Sequence, residues 1–262
     1  MKLHILGTGN GGAIKCYNTC FALENNNEYF LVDGGGGNQI LLQLEKAGIA
    51  LNKIHDIFLS HNHTDHILGV IWVLRSICAN MRFAGKYEGN LNIYGSDESM
   101  SVLKHLIDLL FPPARAFIDK RVFFNVVEDG QVENIIGKEF TFFDIHAKKD
   151  KQFGFIQNSN LAFCGDEPLK EEIFEIAKGK KWLLHESFCL DSEETIFNAH
   201  LKGHCTVKEA GQIAESLGVE NLIIVHTEDN DLKNRRALYT KEAASEFGGN
   251  IFVPNDLDVL NI

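Results

Sequence analysis

The sequence predicts a single α/β domain over residues 1–262 that contains mixed sheets, and three observations support this fold class. Apolar stretches typical of strands alternate along the chain with amphipathic stretches typical of helices. Some neighbouring strands are joined by short turns, which makes them antiparallel, whereas others are separated by a helix, as in parallel βα units. The 262 residues, of which 45% are hydrophobic and 23% charged, are sufficient for one large buried core.

In the first half of the chain, short local patterns locate the elements. The run Asn25–Asn27 predicts a hairpin turn, because asparagine tolerates the left-handed backbone of tight turns. Gly48 predicts the end of one helix, and Pro112 and Pro113 predict the end of another. The run Gly34–Gly37 predicts a tight turn, since it lacks the lysine and the spacing of a phosphate-binding loop. The predicted strands are 2–6, 19–24, 28–33, 53–60 and 90–95, and the predicted helices are 38–48, 67–80 and 97–111.

The second half of the chain begins with a series of strands and ends in βα units. Pro168 favours the first turn of a helix, because its fixed backbone angle suits that position. The predicted strands are 121–127, 139–147, 153–158, 161–166, 182–187 and 221–226, and the predicted helices are 168–179, 206–218 and 232–246.

Composition and charge argue against several classes of protein. The formal net charge of −11 argues against a broadly basic surface for nucleic acid, because phosphate contacts need Lys and Arg. No apolar run reaches the roughly 18 residues of a membrane-spanning helix, and the first residues lack the apolar stretch of a signal peptide. The six cysteines include no CxxC pair, so we expect reduced thiols. We therefore expect a cytoplasmic protein without a membrane partner.

The stretch SHNHTDH, residues 60–66, places three histidines and an aspartate directly after a predicted strand. Zinc prefers imidazole, thiolate and carboxylate ligands, and a catalytic zinc keeps one position open. His61 and His63 are two residues apart on a turn, and Asp65 and His66 lie at the expected start of the next helix. Four such groups exceed what one tetrahedral catalytic ion takes, so the pattern predicts two neighbouring metal ions. The alternative is an ordinary helix cap at Asp65 with exposed histidines.

Three more residues of ligand type stand at the ends of later strands. They are His146, Asp166 and His226. The carboxyl ends of strands in α/β proteins border a common crevice, where ligands bind. We therefore expect these side chains to join the histidine cluster and to bind metal with it.

The combination resembles the metallo-β-lactamase superfamily, whose HxHxDH signature fits residues 61–66. Within it, the chain is most similar to ribonuclease Z and its relatives, over about residues 3–230. The matching segments are ILGTGNGG, LVDGG, IHAKKDKQFGF, CGD, LLHESF and HCTVKEAGQIAESLGVENLIIVH. The resemblance implies a four-layer αββα sandwich, in which two sheets face each other, helices lie outside and metals bind at one edge.

The resemblance also implies how two zinc ions are bound. The first zinc would be bound by His61, His63 and His146, the second by Asp65, His66 and His226, and Asp166 would bridge the two. A hydroxide held between the ions would be the nucleophile. Manganese and iron also occupy sites with mixed nitrogen and oxygen ligands, so Mn2+ or Fe2+ stays open as the cofactor.

The catalytic residues implied by the resemblance are Asp65, His204 and Glu186. Asp65 would orient the hydroxide or take its proton, and His204 would protonate the leaving oxygen or stabilise the transition state. Glu186 would hold His204 in position, and Asp33 would support the histidine turn. Cys205 stands where the family has a serine, so the thiol is expected to have no catalytic role.

Two features depart from the ribonuclease Z enzymes that process transfer RNA. Those enzymes usually carry a long arm between the third-motif histidine and the bridging aspartate, whereas only 19 residues separate His146 from Asp166 here. Their last motif commonly reads like HFSxRY, whereas this chain has HTEDND, in which acidic residues replace the groups expected to touch phosphate. Transfer RNA is therefore a partner that the sequence does not favour.

The favoured function is hydrolysis of a small or nucleotide-like phosphodiester on a dinuclear zinc site. The alternative is hydrolysis of thioesters, lactones or other carbonyl esters, in which the same hydroxide attacks a carbonyl carbon. A non-enzymatic metal-binding module is less favoured, because structural zinc sites are closed and often contain cysteine. Relatives often form dimers, so a homodimer is left open. The sequence assigns no role to His185 or His200.

Overall fold

Fourteen strands form two seven-stranded sheets in the computed structural model, which describes residues 1–262. In chain order the strands are β1 (Lys2–Gly7), β2 (Cys20–Asn25), β3 (Glu28–Val32), β4 (Ile54–Leu59), β5 (Leu91–Gly95), β6 (Val122–Val126), β7 (Val132–Ile135), β8 (Lys138–Asp144), β9 (Phe153–Gln157), β10 (Leu161–Phe163), β11 (Trp182–Glu186), β12 (Asn221–Val225), β13 (Asn250–Phe252) and β14 (Val259–Asn261). The strand order is β14-β1-β2-β3-β4-β5-β6 in the first sheet and β13-β12-β11-β10-β9-β8-β7 in the second. Pairing is parallel from β3 to β6 and from β10 to β13 and antiparallel elsewhere, so both sheets are mixed, as predicted.

The helices cover the outer faces of the two sheets. In chain order they are α1 (Gln39–Lys46), α2 (Thr64–Asn80), α3 (Asp97–Leu110), α4 (Phe174–Ala177), α5 (Glu194–Phe197), α6 (Ala199–Lys202), α7 (Val207–Leu217) and α8 (Leu232–Ala243). Buried residues of α1, α2 and α3 pack on the first sheet, and those of α7 and α8 pack on the second. This is the αββα sandwich that the family resemblance implies. None of the helices combines the length and the apolar character needed to cross a membrane.

An aromatic core holds the two sheets face to face. Phe30 of β3 meets Phe140 of β8 with ring centroids 5.0 Å apart, and Phe58 of β4 meets Phe142 of β8 at the same separation. Each such pair contributes about 0.5–1.5 kcal/mol beyond the burial of its area. The interlocked rings fix one sheet relative to the other, and with it the relative position of the strand ends.

Local signals account for most element boundaries. Asn26 and Asn27 have φ of 52° and 63°, which is the left-handed backbone that a two-residue hairpin turn requires. Ser96 caps α3 with its side chain. Thr206 and Glu209 form a reciprocal capping box at the start of α7.

The structure differs from the predicted elements in three respects, one of which is that the four-residue helices α5 and α6 were not predicted. The short strands β7, β13 and β14 were not predicted, because three- and four-residue strands at sheet edges carry little alternation of apolar and polar residues. The helix predicted over 168–179 is reduced to α4, preceded by a short 3-10 turn over 171–173. One reason is that Leu169 donates its backbone N–H to Nε2 of His185 at 3.2 Å, which holds this stretch against β11.

The glycine turn after β3 packs directly on α2. Gly34 donates its N–H to the carbonyl of His66 at 2.9 Å, and Gly69 donates to the carbonyl of Gly35 at 2.8 Å. A Cβ atom at Gly69 would collide with the carbonyl of Gly34. The N–H groups of Gly36 and Gly37 are also bonded within the protein. The run is therefore a packing turn and not a phosphate cradle, and it positions the first turn of α2.

We predict that Gly69→Ala lowers the free energy of unfolding by about 1–3 kcal/mol, because the new methyl group must push α2 away from the glycine turn. Gly37→Ala is the matched control, since a Cβ there has no neighbour within 4 Å. Urea unfolding followed by circular dichroism measures both. Equal stability of the two variants would contradict the close approach described here.

Candidate metal centre

The candidate centre lies where the carboxyl ends of strands from both sheets meet. The turn 60–63 follows β4, and Asp65 and His66 lie in the first turn of α2. From the second sheet, Asp166 lies three residues after β10, and His226 directly follows β12. The aromatic core between the sheets therefore fixes the distance between these two groups of residues.

Four predicted ligands converge here, namely Asp65, His66, Asp166 and His226, whose ligand atoms all lie within 4.8 Å of one another. Oδ2 of Asp166 lies 2.8 Å from Nε2 of His226 and 3.2 Å from Nε2 of His66. Oδ2 of Asp65 lies 3.4 Å and 3.5 Å from the same two nitrogen atoms. The cluster therefore contains two carboxylates and two imidazoles from three separate parts of the chain.

The buried carboxylate of Asp33 orients the histidine turn. Its Oδ1 accepts the backbone N–H of Ser60 at 2.8 Å, and its Oδ2 accepts the hydroxyl of Ser60 at 2.7 Å. Oδ2 also lies 2.9 Å from Nδ1 of His66. Nδ1 of His66 is therefore engaged, and its Nε2 faces the cluster.

His61 is oriented through the same serine. The hydroxyl hydrogen of Ser60 is committed to Asp33, so its oxygen accepts from Nδ1–H of His61 at 3.0 Å. This leaves Nε2 of His61 without a proton; it is buried, has no hydrogen-bond partner and lies 3.9 Å from Oδ2 of Asp166. His61 thus borders the cluster with a free nitrogen lone pair.

The side chains of His63 and His146 are both exposed. The ring of His63 lies edge-to-face with that of His61, with centroids 4.4 Å apart, and its Nε2 lies 2.7 Å from Oδ2 of Asp150. The side chain of His146 is 51% exposed, and its Nδ1 lies 3.8 Å from Asp144. The structure brings His61 close to His63 and does not bring His146 into contact with either.

The ring of His204 lies beside the cluster and is held on two sides. Its Nδ1–H donates to the backbone carbonyl of Asp166 at 3.0 Å, and the ring stacks on Phe188 with centroids 4.7 Å apart. Glu186 accepts the N–H of Cys205 at 2.7 Å through Oε1, whereas its Oε2 lies 3.7 Å from Nδ1 of His204. Glu186 therefore holds the backbone next to His204, and its buried Oε2 has no hydrogen-bond partner.

The donor set fits a divalent cation. Nε2 of His61 is buried and lacks a hydrogen-bond partner, although buried nitrogen atoms normally have one. No Lys or Arg forms an ion pair with Asp65 or Asp166. Mixed imidazole and carboxylate ligation suits zinc, manganese or iron.

Without a bound metal ion, protons on the imidazoles of His66 and His226 balance the negative charge of the carboxylates. Burial by itself would lower the pKa of His226, but Asp166 and Asp65 raise it to about 10. Burial also opposes a charge on His66, yet the same carboxylates and Asp33 hold its pKa well above the usual value. A metal ion would displace these protons, because metal ligands must be deprotonated.

The acidic HTEDND segment has partners that the sequence does not reveal. Oε1 of Glu228 accepts from the side-chain amide of Asn10 at 2.8 Å. Oδ2 of Asp229 accepts two successive backbone N–H groups of the loop before β2, at 2.6 and 2.5 Å. In that loop, a Cβ atom at Gly11 would lie 3.0 Å from Asp65. The acidic residues therefore hold a loop against the centre, and no local pattern could predict backbone donors from the other end of the chain.

The two histidines without a predicted role lie outside the cluster. His185 is fully buried, accepts the N–H of Leu169 and contacts the carbonyl of Glu186, and burial lowers its pKa to about 4. His200 is exposed, and its Nε2 lies 2.9 Å from Glu209. Their contacts are those of a structural histidine and a surface ion pair, respectively.

Comparison with protein families and with curated proteins identifies two likenesses. The model of the family described as Anti-Pycsar protein Apyc1 matches residues 1–242. The chain is also 26% identical to ribonuclease Z of Lactobacillus helveticus over 317 aligned positions, which cover 100% of this chain and 98% of that protein. Since the alignment is longer than this chain, the relative contains segments that this chain lacks.

Solved structures share the fold at low sequence identity. The metallo-β-lactamase fold protein YhfI from Bacillus subtilis superposes with a TM-score of 0.79 at 19% identity, covering 99% of this chain and 98% of that one. The short form of human tRNase Z has a TM-score of 0.72 at 17% identity, covering 100% and 99%. The predicted metallo-β-lactamase fold and the likeness to ribonuclease Z are thereby confirmed.

We predict that metal binding at pH 7 releases protons, because His66 and His226 carry raised pKa values and must lose their protons to bind an ion. The affinity for Zn2+ should rise with pH, since protons compete less as the pH approaches these pKa values. Isothermal titration calorimetry in two buffers of different ionisation enthalpy measures the release. Identical binding heats in both buffers would contradict the protonated cluster.

Proposed function

The chain belongs to the anti-Pycsar protein Apyc1 family, and from this premise we propose that it hydrolyses a compact, nucleotide-sized phosphodiester at the candidate metal centre. It is a metal-dependent hydrolase of the ribonuclease Z-like type. We propose two Zn2+ ions as the cofactors, with Mn2+ or Fe2+ as alternatives. The proposed ligands are His61, His63, Asp65, His66, His146, Asp166 and His226.

One observation carries the proposal: the carboxylate of Asp166 faces imidazoles that come from both sheets. Its Oδ2 lies within 3.9 Å of the Nε2 atoms of His61, His66 and His226. Polar groups buried this densely oppose folding unless they are paired or bind an ion. A divalent cation would take the place of the two imidazole protons as the positive charge beside the carboxylates, and it suits a phosphodiester, whose reaction develops negative charge.

A cavity of about 490 Å3 beside His204 supports a compact substrate. This volume falls within the roughly 300–1,000 Å3 of small-molecule sites. Lys148 and Lys170 line it together with Glu167 and Glu209, so its lining carries both signs of charge. Another cavity, of about 520 Å3, lies between residues 13–18 and 36–39 and contains no predicted catalytic residue, whereas His204 lines the first cavity, so we assign the substrate to the cavity beside His204.

Divalent cations at the centre would polarise the phosphoryl group and lower the pKa of a water molecule. Asp65 is positioned to orient that water or to accept its proton, because its carboxylate faces His66 and His226 and stays 13% exposed. Asp33 would keep His66 in place during the reaction through the contact to Nδ1.

His204 is the proposed contact to the leaving oxygen. Its Nδ1 is committed to the carbonyl of Asp166, so its Nε2 is the atom available to the substrate. Burial, assisted by the charge of His226, lowers the pKa of His204 to about 4, so the ring is neutral in the resting protein. The negative charge of a bound phosphodiester would favour the protonated ring, which could then donate from Nε2.

Transfer RNA is the less favoured substrate. Residues between His146 and Asp166 form β9, β10 and short connections, with no long arm. Glu228 and Asp229, which stand in the segment expected to touch phosphate, bind the loop before β2 instead. A folded RNA would therefore find neither a long arm nor a free phosphate-binding segment on this protein.

The second candidate function is hydrolysis of a thioester, lactone or other carbonyl ester at the same centre. The acidic segment favours it, because Glu228 and Asp229 place negative charge near the loop that borders Asp65. The likeness to ribonuclease Z favours the phosphodiester. We also propose a cytoplasmic location, where the six free thiols stay reduced.

We predict turnover of bis(p-nitrophenyl) phosphate and of at least one cyclic or linear nucleotide, with little cleavage of precursor transfer RNA. The assay compares these with a thioester and a lactone, before and after removal of metal by a chelator. Activity should disappear on chelation and return with added Zn2+ or Mn2+. Turnover of carbonyl esters alone would support the second function and contradict the first.

Three variants test the division of roles. His66→Ala should abolish turnover, and Asp166→Ala should lose bound metal, since it removes the carboxylate at the centre of the cluster. His204→Ala should retain metal and lose about 10²–10⁴-fold in kcat, as expected for a proton-transfer residue. His105→Ala, on the exposed face of α3, is the control and should behave like the wild type. Equal metal loss in Asp166→Ala and His204→Ala would contradict the assignment.

A further inference from the structure

The lysine loop, which we define as residues 147–151, places a carboxylate against a predicted metal ligand. Oδ2 of Asp150 lies 2.7 Å from Nε2 of His63, which is a short hydrogen bond. The side chains are 44% exposed for His63 and 35% exposed for Asp150, so water could solvate both. A defined contact between two accessible groups indicates that the surrounding structure holds them together.

The contact determines which nitrogen of His63 can bind an ion. In His61, His66 and His204, Nδ1 is engaged by a protein oxygen and Nε2 is left available. In His63 the pattern is reversed, since Nε2 is engaged and Nδ1 has no hydrogen-bond partner. Two histidines that are separated by one residue on a turn thus present different nitrogen atoms, Nε2 from His61 and Nδ1 from His63.

The loop that delivers Asp150 is tied to three separate parts of the protein. The N–H of Lys148 donates to both carboxylate oxygens of Glu167 at 3.1 Å. Nζ of Lys149 donates to the carbonyl of Lys202 at 3.3 Å. On the other side of Asp150, Nζ of Lys151 donates to Asp97, in the first turn of α3, at 2.9 Å. These ties hold the loop in the position where Asp150 meets His63.

We propose that Asp150 is a positioning residue for the first metal site, an inference that rests on the proposed metal-dependent function. Its carboxylate keeps the proton of His63 on Nε2 and leaves the Nδ1 lone pair for the ion. A carboxylate that accepts from the far nitrogen of a ligating histidine fixes the ring and makes the other nitrogen more basic. In this chain the short lysine loop supports a metal ligand at the position where transfer-RNA-processing relatives carry an arm.

The test follows metal release from the loaded protein. Holoprotein with Zn2+ is challenged with increasing concentrations of a chelating dye, and the two release steps are fitted separately. Asp150→Ala should weaken one step by about 10–100-fold, as expected when the hydrogen-bond partner of a ligand is removed. Asp150→Asn should lose less, because its amide oxygen can still accept from Nε2, and His63→Ala should lose the most in the same step.

Asp108→Asn is the matched control, because it removes an exposed carboxylate of α3 that pairs with Arg115 and contacts neither His63 nor the lysine loop. It should release metal like the wild type. Long-range ¹H–¹⁵N spectra of histidine-labelled protein provide an independent readout, in which His63 should carry its proton on Nε2 and lose this preference in Asp150→Ala. Wild-type release by Asp150→Ala, or equal weakening by Asp108→Asn, would overturn the proposal.

The outcomes also separate this inference from the proposed function. If Asp150→Ala weakens one release step but the protein hydrolyses no phosphodiester, the positioning role stands and the function fails. If phosphodiester turnover depends on His66 while metal release is insensitive to Asp150, the function stands and the positioning role fails.

Discussion

The candidate centre depends on the buried carboxylate of Asp33, which accepts from Ser60 and contacts Nδ1 of His66. The contact joins the end of β3 to the end of β4 and to the first turn of α2. Because both hydrogens of Ser60 point to Asp33, the serine oxygen can only accept, and this fixes the proton of His61 on Nδ1. One carboxylate thereby decides that His61 and His66 both present Nε2 to the space around Asp166. Without it, the two rings would be free to turn, and the cluster would lose its geometry.

The backbone is also strained at the positions that carry the chemistry. Asp33, His146 and His226 all have positive φ, of 56°, 55° and 58°, at or just beyond the ends of strands. Such backbone costs on the order of 1 kcal/mol at residues other than glycine, and it is typical of functional sites. The left-handed residue turns the chain sharply out of its strand. At His226 this turn leads into the segment whose carboxylates bind the loop before β2. The backbone turn at His226 therefore sets both the orientation of the His226 ring and the position of the loop before β2.

Local patterns predicted an α/β domain with mixed sheets and the convergence of Asp65, His66, Asp166 and His226, whereas the αββα sandwich was implied by the resemblance to the metallo-β-lactamase superfamily. Apolar periodicity locates strands and helices, and ligand-type residues at strand ends share one crevice. The sequence did not predict β13 and β14, whose three residues are placed by pairing with neighbouring strands. It also could not predict the contact of Asp150 with His63 or that of Asp229 with backbone N–H groups. These pairs are separated by 87 and about 215 residues and arise only when the sheets have packed. The metal assignment of His146, whose side chain is exposed, stays a prediction.

The central claim is that a divalent cation balances the buried carboxylates around Asp166, and anomalous X-ray diffraction tests it most directly. Crystals of protein that was never exposed to a chelator would be measured above and below the absorption edges of zinc, manganese and iron. The account predicts anomalous density in contact with Asp166 and with the Nε2 atoms of His66 and His226. Absence of such density, or density only at Glu186 and His204, would contradict it.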